Sequence, residues 1–194
     1  MYDNKRILAL IPARGGSKGL LRKNIKLINN KPLIAWTIES ANNNKYIDKV
    51  IVSSDDDEII DISQKYGAEI PFTRPELLSG DNAKAMDVIL HAIEQCNDFD
   101  ILIYLQPTSP LRTSKHIDEA IDLFFKKDAV SVISVAESKE AHTINQLSQD
   151  LSMENFIEKK YLNINRQDVN KKFYKINGAI YLSYFDNLKK NKNW

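Results

Sequence analysis

The sequence is poor in the residues that anchor several whole classes of protein. Cys96 is the one cysteine among 194 residues. A lone cysteine closes no internal disulfide, which suits a reducing cytosol, and its place at the end of a helical pattern favours a packed thiol over a catalytic one. The three histidines, His91, His116 and His142, stand far apart and lack metal-ligand spacing, so they are read as non-catalytic. No charge of one sign prevails: 27 basic residues face 26 acidic ones, a net charge of +1. That balance gives no reason to expect nucleic-acid or membrane-surface binding, and any positive site has to be local. Long apolar runs are missing as well. None approaches the ~18 residues of a membrane span, and the N-terminus has no apolar stretch of signal-peptide length, so no signal peptide is expected. There is no internal repeat and no Gly-x-Ser-x-Gly elbow of a serine hydrolase.

What is present is a regular alternation. Hydrophobic residues make up 43% of the chain, enough for a core, and the length fits one domain over 1–194. "RILALIP" reads as a buried strand, "PLIAWTIESANN" as a helix with Pro32 in its first turn, and "KVIVSS" as a second strand. "DEIIDISQKYG" reads as a helix ending at Gly67, "AEIPF" as a short strand and "AKAMDVILHAIEQC" as a strong helix. The uninterrupted apolar run "DILIYLQ" suits the sheet centre, "SKHIDEAIDLFFKK" is a further helix and "AVSVISV" a further central strand. This order predicts a mostly parallel α/β sheet with helices on both faces. The rhythm breaks after about Ala136. The polar stretch up to Tyr174 is too long for an ordinary connection and is read as an inserted arm over 137–172. Order returns at "KINGAIYLSYFDNL", a strand and the start of a helix.

Five stretches carry groups suited to chemistry. "IPARGGSKGLLRKN" follows the first strand and combines Gly15, Gly16 and Gly19 with Arg14, Lys18, Arg22 and Lys23. Such a loop at the carboxyl edge of an open sheet makes an anion site, although it matches neither the dinucleotide nor the Walker glycine spacing. In "SSDDDEI", Asp56 and Asp57 are read as helix caps and Asp55, nearest the strand end, as the better site candidate. In "RPELLSGD", Arg74 suits a carboxylate or phosphate, and Asp81 can cap a helix beginning near Ala83. "LQPTSPLR" sets Gln106 at the end of the central strand, beside the hydroxyls of Thr108 and Ser109. That amide can read a base, hold a sugar hydroxyl, support a metal-bound water or merely brace the loop. In the last stretch, Arg166, Gln167, Lys175 and Asn177 cluster near an apolar strand, where Asn177–Gly178 can equally form a turn.

Taken in this order, "IPARGGSKGLLRKN", "RPELLSGDNAKAMDVILHAIE", "LQPTSPLR" and "NGAIY" resemble the acylneuraminate cytidylyltransferases, the CMP-sialic acid synthetases, from Ile7 to about Tyr181. The resemblance implies a Rossmann-like nucleotidyltransferase fold. It implies transfer of CMP from CTP to a nonulosonic acid (N-acetylneuraminate, legionaminate or pseudaminate) with release of pyrophosphate and with Mg²⁺ as cofactor. It implies further that the loop from Arg14 to Lys23 holds the triphosphate, with Arg14 and Lys18 assisting catalysis. Ala13, Gly15, Gly16, Ser17, Asn24, Arg74, Asp81 and Ala83 fall to the nucleotide. Gln106 would lie beside the reacting sugar, with Thr108 and Ser109 nearby, and Arg166, Gln167, Lys175 and Asn177 would belong to the sugar-acid pocket. The arm at 137–172 resembles the family's dimerisation insertion, so a cytoplasmic homodimer is expected.

Two departures stand out. By the resemblance, a serine that can touch the nucleotide is often found near Ala85, and the alanine here lacks that hydroxyl. The family's metal-binding aspartate pair, a D-x-D, lies beyond the position of Trp194, so no metal residue is assigned. The chain is then expected to be C-terminally truncated relative to the family, or an impaired copy that binds CTP and dimerises. A different sugar nucleotidyltransferase is the remaining alternative.

Overall fold

In the computed structural model, residues 2–17, 19–138 and 172–194 are described. Along them run β1 (Ile7–Pro12), β2 (Leu27–Ile28), β3 (Lys31–Pro32), α1 (Leu33–Asn42), β4 (Lys49–Ser53), α2 (Asp57–Lys65), α3 (Ala85–Gln95), β5 (Ile101–Tyr104), α4 (Ser114–Lys126), β6 (Ser131–Ser138), β7 (Phe173–Tyr184) and α5 (Phe185–Asn191). Five strands form one sheet in the order β4-β1-β5-β7-β6, and β2 and β3 make a separate small hairpin. β1 pairs in parallel with both β4 and β5, while β7 returns antiparallel to β5.

Strand periodicity explains the two cores. Ile7, Ala9 and Ile11 of β1 join Ile101 and Ile103 of β5 in one cluster, which α1, α2 and α4 cover through Ile34, Ile38, Ile59, Ile117, Ile121 and Phe124. The intervening Leu8, Leu10, Leu102 and Tyr104 point the other way, into a second cluster with Ile89 and Ile93 of α3 and Phe185 and Leu188 of α5. A strand covered on both faces needs apolar residues at every position, which is why these runs are uninterrupted. Each fully buried Ile or Leu contributes roughly 1.5–3 kcal/mol. Cys96 closes α3 and lies buried in the second cluster, where burial pushes its thiol pKa up. It is a packing residue, as its position suggested.

The chain divides into two compact units, Met1–Ile133 with Gly178–Trp194, and Ser134–Asn177. The first contains both cores. In the second, the Ser134 hydroxyl donates to the Asn177 side-chain oxygen at 2.6 Å, and Lys172 lies 3.7 Å from Glu137. The arm expected over 137–172 falls mostly outside the described residues.

Several local expectations are corrected. β6 stands at the end of the strand order among the described residues and is not central. A run of Val and Ile reads the same in either place, and only the return of β7 beside β5 decides it. "AEIPF" contracts to one parallel bridge between Ile51 and Glu69, because Pro71 has no N–H to extend the ladder. Pro32 stands just before α1 as its cap residue. Asp81 does not cap α3, whose first turn begins at Ala85 after Lys84. Asn177–Gly178 is no turn before a strand but lies inside β7, where Gly178 takes a φ of +75°.

The parallel register brings the functional loops together. Pro12 lies opposite Ser53, and Leu10 opposite Tyr104, so three strands deliver their carboxyl ends to one edge. The chain builds β4 on one side of β1 and then crosses to place β5 on the other, the arrangement that opens a crevice in such sheets. The glycine loop is anchored there by carboxylates. The Gly15 N–H donates to Asp55 at 3.2 Å. A Cβ at Gly15 would lie 2.5 Å from an Asp56 side-chain oxygen, which is why this position is glycine. Asp56 caps α2 by accepting from the Ile59 N–H at 3.0 Å, and the Arg22 guanidinium grips both of its oxygens while also reaching Glu58. Arg22 itself sits in the left-handed region at φ +56°. Its hydrogen bond holds the Asp56 carboxyl below its usual pKa range, with the Ile59 N–H acting in the same direction against burial.

Two stability predictions result. Ile103→Ala, in the fully buried centre of β5, is expected to cost about 2–5 kcal/mol in urea denaturation, whereas Leu77→Ala, on a side chain 87% exposed, stays within about 0.5 kcal/mol. Asp56→Asn keeps the cap and loses the ion pair, at a cost of about 1 kcal/mol at neutral pH. Because the folded pKa is lowered, that contribution is complete above the unfolded value near 3.9 and fades as pH falls through the folded one. Denaturation midpoints of the two proteins should therefore converge in acid.

Candidate active site

At the carboxyl edge lies a cleft of about 550 Å³ built wholly within the first unit. Its walls come from the loop after β1, the segment from Arg74 to Val88, and the loop after β5. Of the residues expected at a nucleotide or sugar site, it brings together Arg14, Ser17, Lys23, Asn24, Arg74, Asp81, Ala83, Gln106 and Thr108. Ala85 lines it too. Ala13, Gly15, Gly16 and Ser109 do not line it. Ala13 is buried in the first core, with its N–H bonded to the Ser53 carbonyl at 3.0 Å. The Gly15 N–H is occupied by Asp55 and so is not offered to a ligand, contrary to its expected part in an anion cradle. Ser109 serves the turn after Gln106 through a 3.3 Å backbone bond. Lys18, Arg166, Gln167 and His142 lie outside the described residues. Lys175 and Asn177 lie on the part of β7 that belongs to the second unit.

The electrostatics of the lining favour an anion. Among the described residues, three cations of the lining, Arg14, Lys23 and Arg74, face one carboxylate, Asp81. Arg14 donates to that carboxylate at 3.0 Å and to the Gly80 carbonyl at 2.7 Å, so the two meet as an ion pair across the cleft wall. Asp81 is therefore the counter-charge of Arg14 where a helix cap was expected. Lys23 sits in a short 3-10 turn, Lys23–Ile25, that forms from the glycine loop's last residues. Asn24, buried in the same turn, donates its side-chain amide to the Arg14 carbonyl at 3.1 Å and fixes the loop's return. Arg74 is only 5% exposed. Its Nε donates to the Ser53 hydroxyl at 2.9 Å and its Nη2 to the Ser53 carbonyl. Burial, and after it the charge of Arg14, lowers its pKa, while Asp55 opposes the shift. Asp55 acts on Gly15 and Arg74 from behind the cleft without lining it.

Sequence reading missed Tyr104. It ends the apolar run of β5 and looked like one more core position, yet it lines the cleft together with Gln106. Burial pushes its pKa up to about 12, so it is a neutral hydroxyl over the ordinary pH range. Arg112 ends the "LQPTSPLR" stretch, where no local pattern marks it out. It is 5% exposed and donates from Nη1 to the carbonyls of Gln106 at 3.2 Å and Ala179 at 2.7 Å. Of the histidines, His116 completes the capping box of α4 with Thr113, and His91 meets Phe72 edge-on, so neither enters the cleft.

Magnesium finds no ready site here. Among the described residues no group of three His, Cys, Asp or Glu side chains converges, and the one carboxylate of the lining is engaged by Arg14. The donor set does not fit a protein-held magnesium, which usually takes one or two free carboxylates besides phosphate oxygens and water. Among the described residues no helix is long and apolar enough to cross a membrane.

Comparison with known proteins converges on one family. Residues 8–187 match the cytidylyltransferase family. The chain is 38% identical over 179 residues to the N-acylneuraminate cytidylyltransferase of Escherichia coli O18:K1:H7, a match covering 92% of this chain and 42% of that protein. It is 33% identical to the CMP-N,N'-diacetyllegionaminic acid synthase of Legionella pneumophila, covering 97% of this chain and 82% of that one. Against the pseudaminic acid cytidylyltransferase of Campylobacter jejuni the identity is 40%, over 67% of this chain and 58% of the relative. The chain thus spans less than two thirds of the Escherichia coli and Campylobacter relatives. Among solved structures, a CMP:2-keto-3-deoxy-manno-octonic acid synthetase complexed with CTP superposes with a TM-score of 0.73 at 21% identity, over 96% of this chain and 77% of that one, a likeness of fold. A cleft walled by cations at the carboxyl edge of a mostly parallel sheet, and this breadth of similarity, agree: the chain belongs to the cytidylyltransferase family.

Proposed function

We propose that the chain is a CTP-dependent nonulosonate cytidylyltransferase. One observation carries the reading above the others: among the described residues, Arg14, Lys23 and Arg74 gather in one cleft with the Gln106 amide, opposite one carboxylate that is already paired. Such a lining suits a triphosphate together with a polar, hydroxyl-rich partner. The relatives' names support the sugar class, since they specify an acylneuraminic, a legionaminic and a pseudaminic acid.

In this reading the anomeric hydroxyl oxygen of the sugar acid bonds to the α-phosphorus of CTP. The bond from that phosphorus to the bridging oxygen breaks, pyrophosphate leaves with the electron pair, and the hydroxyl gives up its proton. The chain's contribution is orientation and charge, without a covalent nucleophile. Lys23 meets phosphate oxygens directly, Arg14 does so by exchanging its Asp81 partner, and Lys18 is the third of the loop's cations assigned to the phosphates, Arg22 being held by Asp56. Ser17, Asn24, Arg74 and Ala83 shape the nucleotide side, with Ala13, Gly15 and Gly16 acting through the loop's backbone shape. Gln106 and Thr108, with Ser109 bracing their turn, face the sugar, while Arg166, Gln167, Lys175 and Asn177 are candidate ligands of the sugar acid by the family resemblance alone. Magnesium, absent from the described donors, would be carried by nucleotide phosphates. The protein would work in the cytoplasm as a homodimer joined through the 137–172 arm.

Pyrophosphate release tests the reaction. With CTP, magnesium and N-acetylneuraminic, legionaminic and pseudaminic acids offered singly, release is expected with at least one acid and none with CTP alone. CTP bound without release in any mixture would contradict the transfer. Lys23→Ala is expected to weaken CTP binding about tenfold, the loss of one charge-assisted contact, in calorimetry at fixed salt. An unchanged dissociation constant would remove Lys23 from the phosphate site.

A further inference from the structure

Among the described residues, Arg112 is a buried cation with no carboxylate partner. Burial alone accounts for the lowering of its pKa to about 10. Among the described residues, its Nε and Nη2 find no hydrogen-bond partner although both are shielded from solvent. A fold that sought stability alone would not keep such a group, since an uncompensated buried charge is destabilising. What the guanidinium does accomplish is specific. From one nitrogen it bridges the carbonyl of Gln106, on the loop after β5, and the carbonyl of Ala179, on β7. The same two segments touch again next to that bridge. At Gly178, which has a φ of +75°, a Cβ would stand 2.7 Å from the Gln106 side-chain oxygen. The Gln106 amide, which lines the cleft, is thus confined by a clamp on its backbone and a bare glycine beside it.

We infer that Arg112 is a positioning residue: by tying the Gln106 carbonyl to that of Ala179, it sets the Gln106 amide against Gly178 and aims it into the cleft at the sugar substrate. Lysine is a poor replacement, because its ammonium is more strongly hydrated and so costs more to bury, and its flexible stem does not fix one donor between the two carbonyls. The kinetic side of this inference rests on the proposed transfer to a sugar acid, while the placement of Gln106 does not.

Arg112→Lys and Arg112→Met separate the two. In isotope-labelled protein, the Gln106 side-chain amide resonance is identified by its loss in Gln106→Ala. Either Arg112 substitution is expected to shift it and to leave the Asn24 side-chain amide in place. The kcat/KM for the sugar acid should fall at least about tenfold, the scale of a misplaced group beside reacting atoms, with the CTP dissociation constant unchanged. Combined with Gln106→Ala, Arg112→Lys should add no further loss, because it acts through that residue. An unmoved Gln106 resonance, losses that multiply, or CTP affinity falling in step with kcat/KM would overturn the inference and leave Arg112 a general support of the fold. If the parent protein releases no pyrophosphate with any acid, the transfer reading fails, and the Gln106 resonance alone decides the clamp. If the Arg112 variants do not fold, Gly178→Ala gives the same readout, since its methyl must displace the Gln106 amide while Arg112 stays intact. A Gln106 resonance unchanged there also counts against the clamp.

Discussion

The parallel register of β1 with β4 and β5 is the constraint on which the rest of the molecule depends. It sets Pro12 level with Ser53 and Leu10 level with Tyr104, so the loops after three strands emerge at one edge. That register is held by two apolar clusters, one on each face of the sheet, that share its strands residue by residue. A slip of one residue would exchange the faces of β1 and β5 and set Tyr104 into the wrong core. The cleft is therefore a consequence of core packing before it is a matter of loop chemistry.

The loops at that edge are then restrained by charge. The glycine loop leans on Asp55 and Asp56, Arg22 clasps Asp56 from the loop's far end, and Asn24 draws the return turn to the Arg14 carbonyl. These contacts spend several of the loop's polar groups on holding its own shape. What is left facing the cleft is a small set of side-chain cations, with Asp81 as internal counter-ion to one of them. A site organised in this way keeps its cations ordered before a polyanion arrives, which lessens the reorganisation demanded on binding.

Much of this was legible in the sequence, for reasons that differ by element. Ile7–Pro12 and Ile101–Tyr104 announce themselves because a doubly covered strand is apolar throughout, and α4 because its apolar positions repeat at helical spacing. The loops of the site were found because glycines, prolines and cations following such strands have little to do in packing. What escaped was pairwise and distant. Arg22 finds Asp56 and Arg14 finds Asp81, 34 and 67 positions away, and no local pattern encodes either meeting. Asp81 looked like a helix cap because caps and counter-ions use the same residue. The phenol of Tyr104 and the guanidinium of Arg112 were hidden by their neighbours, one in an apolar run and the other at the end of a proline-rich loop. The outer place of β6 depends on the antiparallel return of β7, which lies far along the chain.

The central claim is that CTP binds at the carboxyl edge, between the loop after β1 and the loop after β5. Backbone amide shifts on CTP titration test it most directly. The account predicts perturbations concentrated in residues 12–24, 74–88 and 104–108, the three walls of the cleft. Perturbations confined to the opposite edge, where Lys5, Asn97, Asp100 and Lys189 line a second cavity, would contradict it.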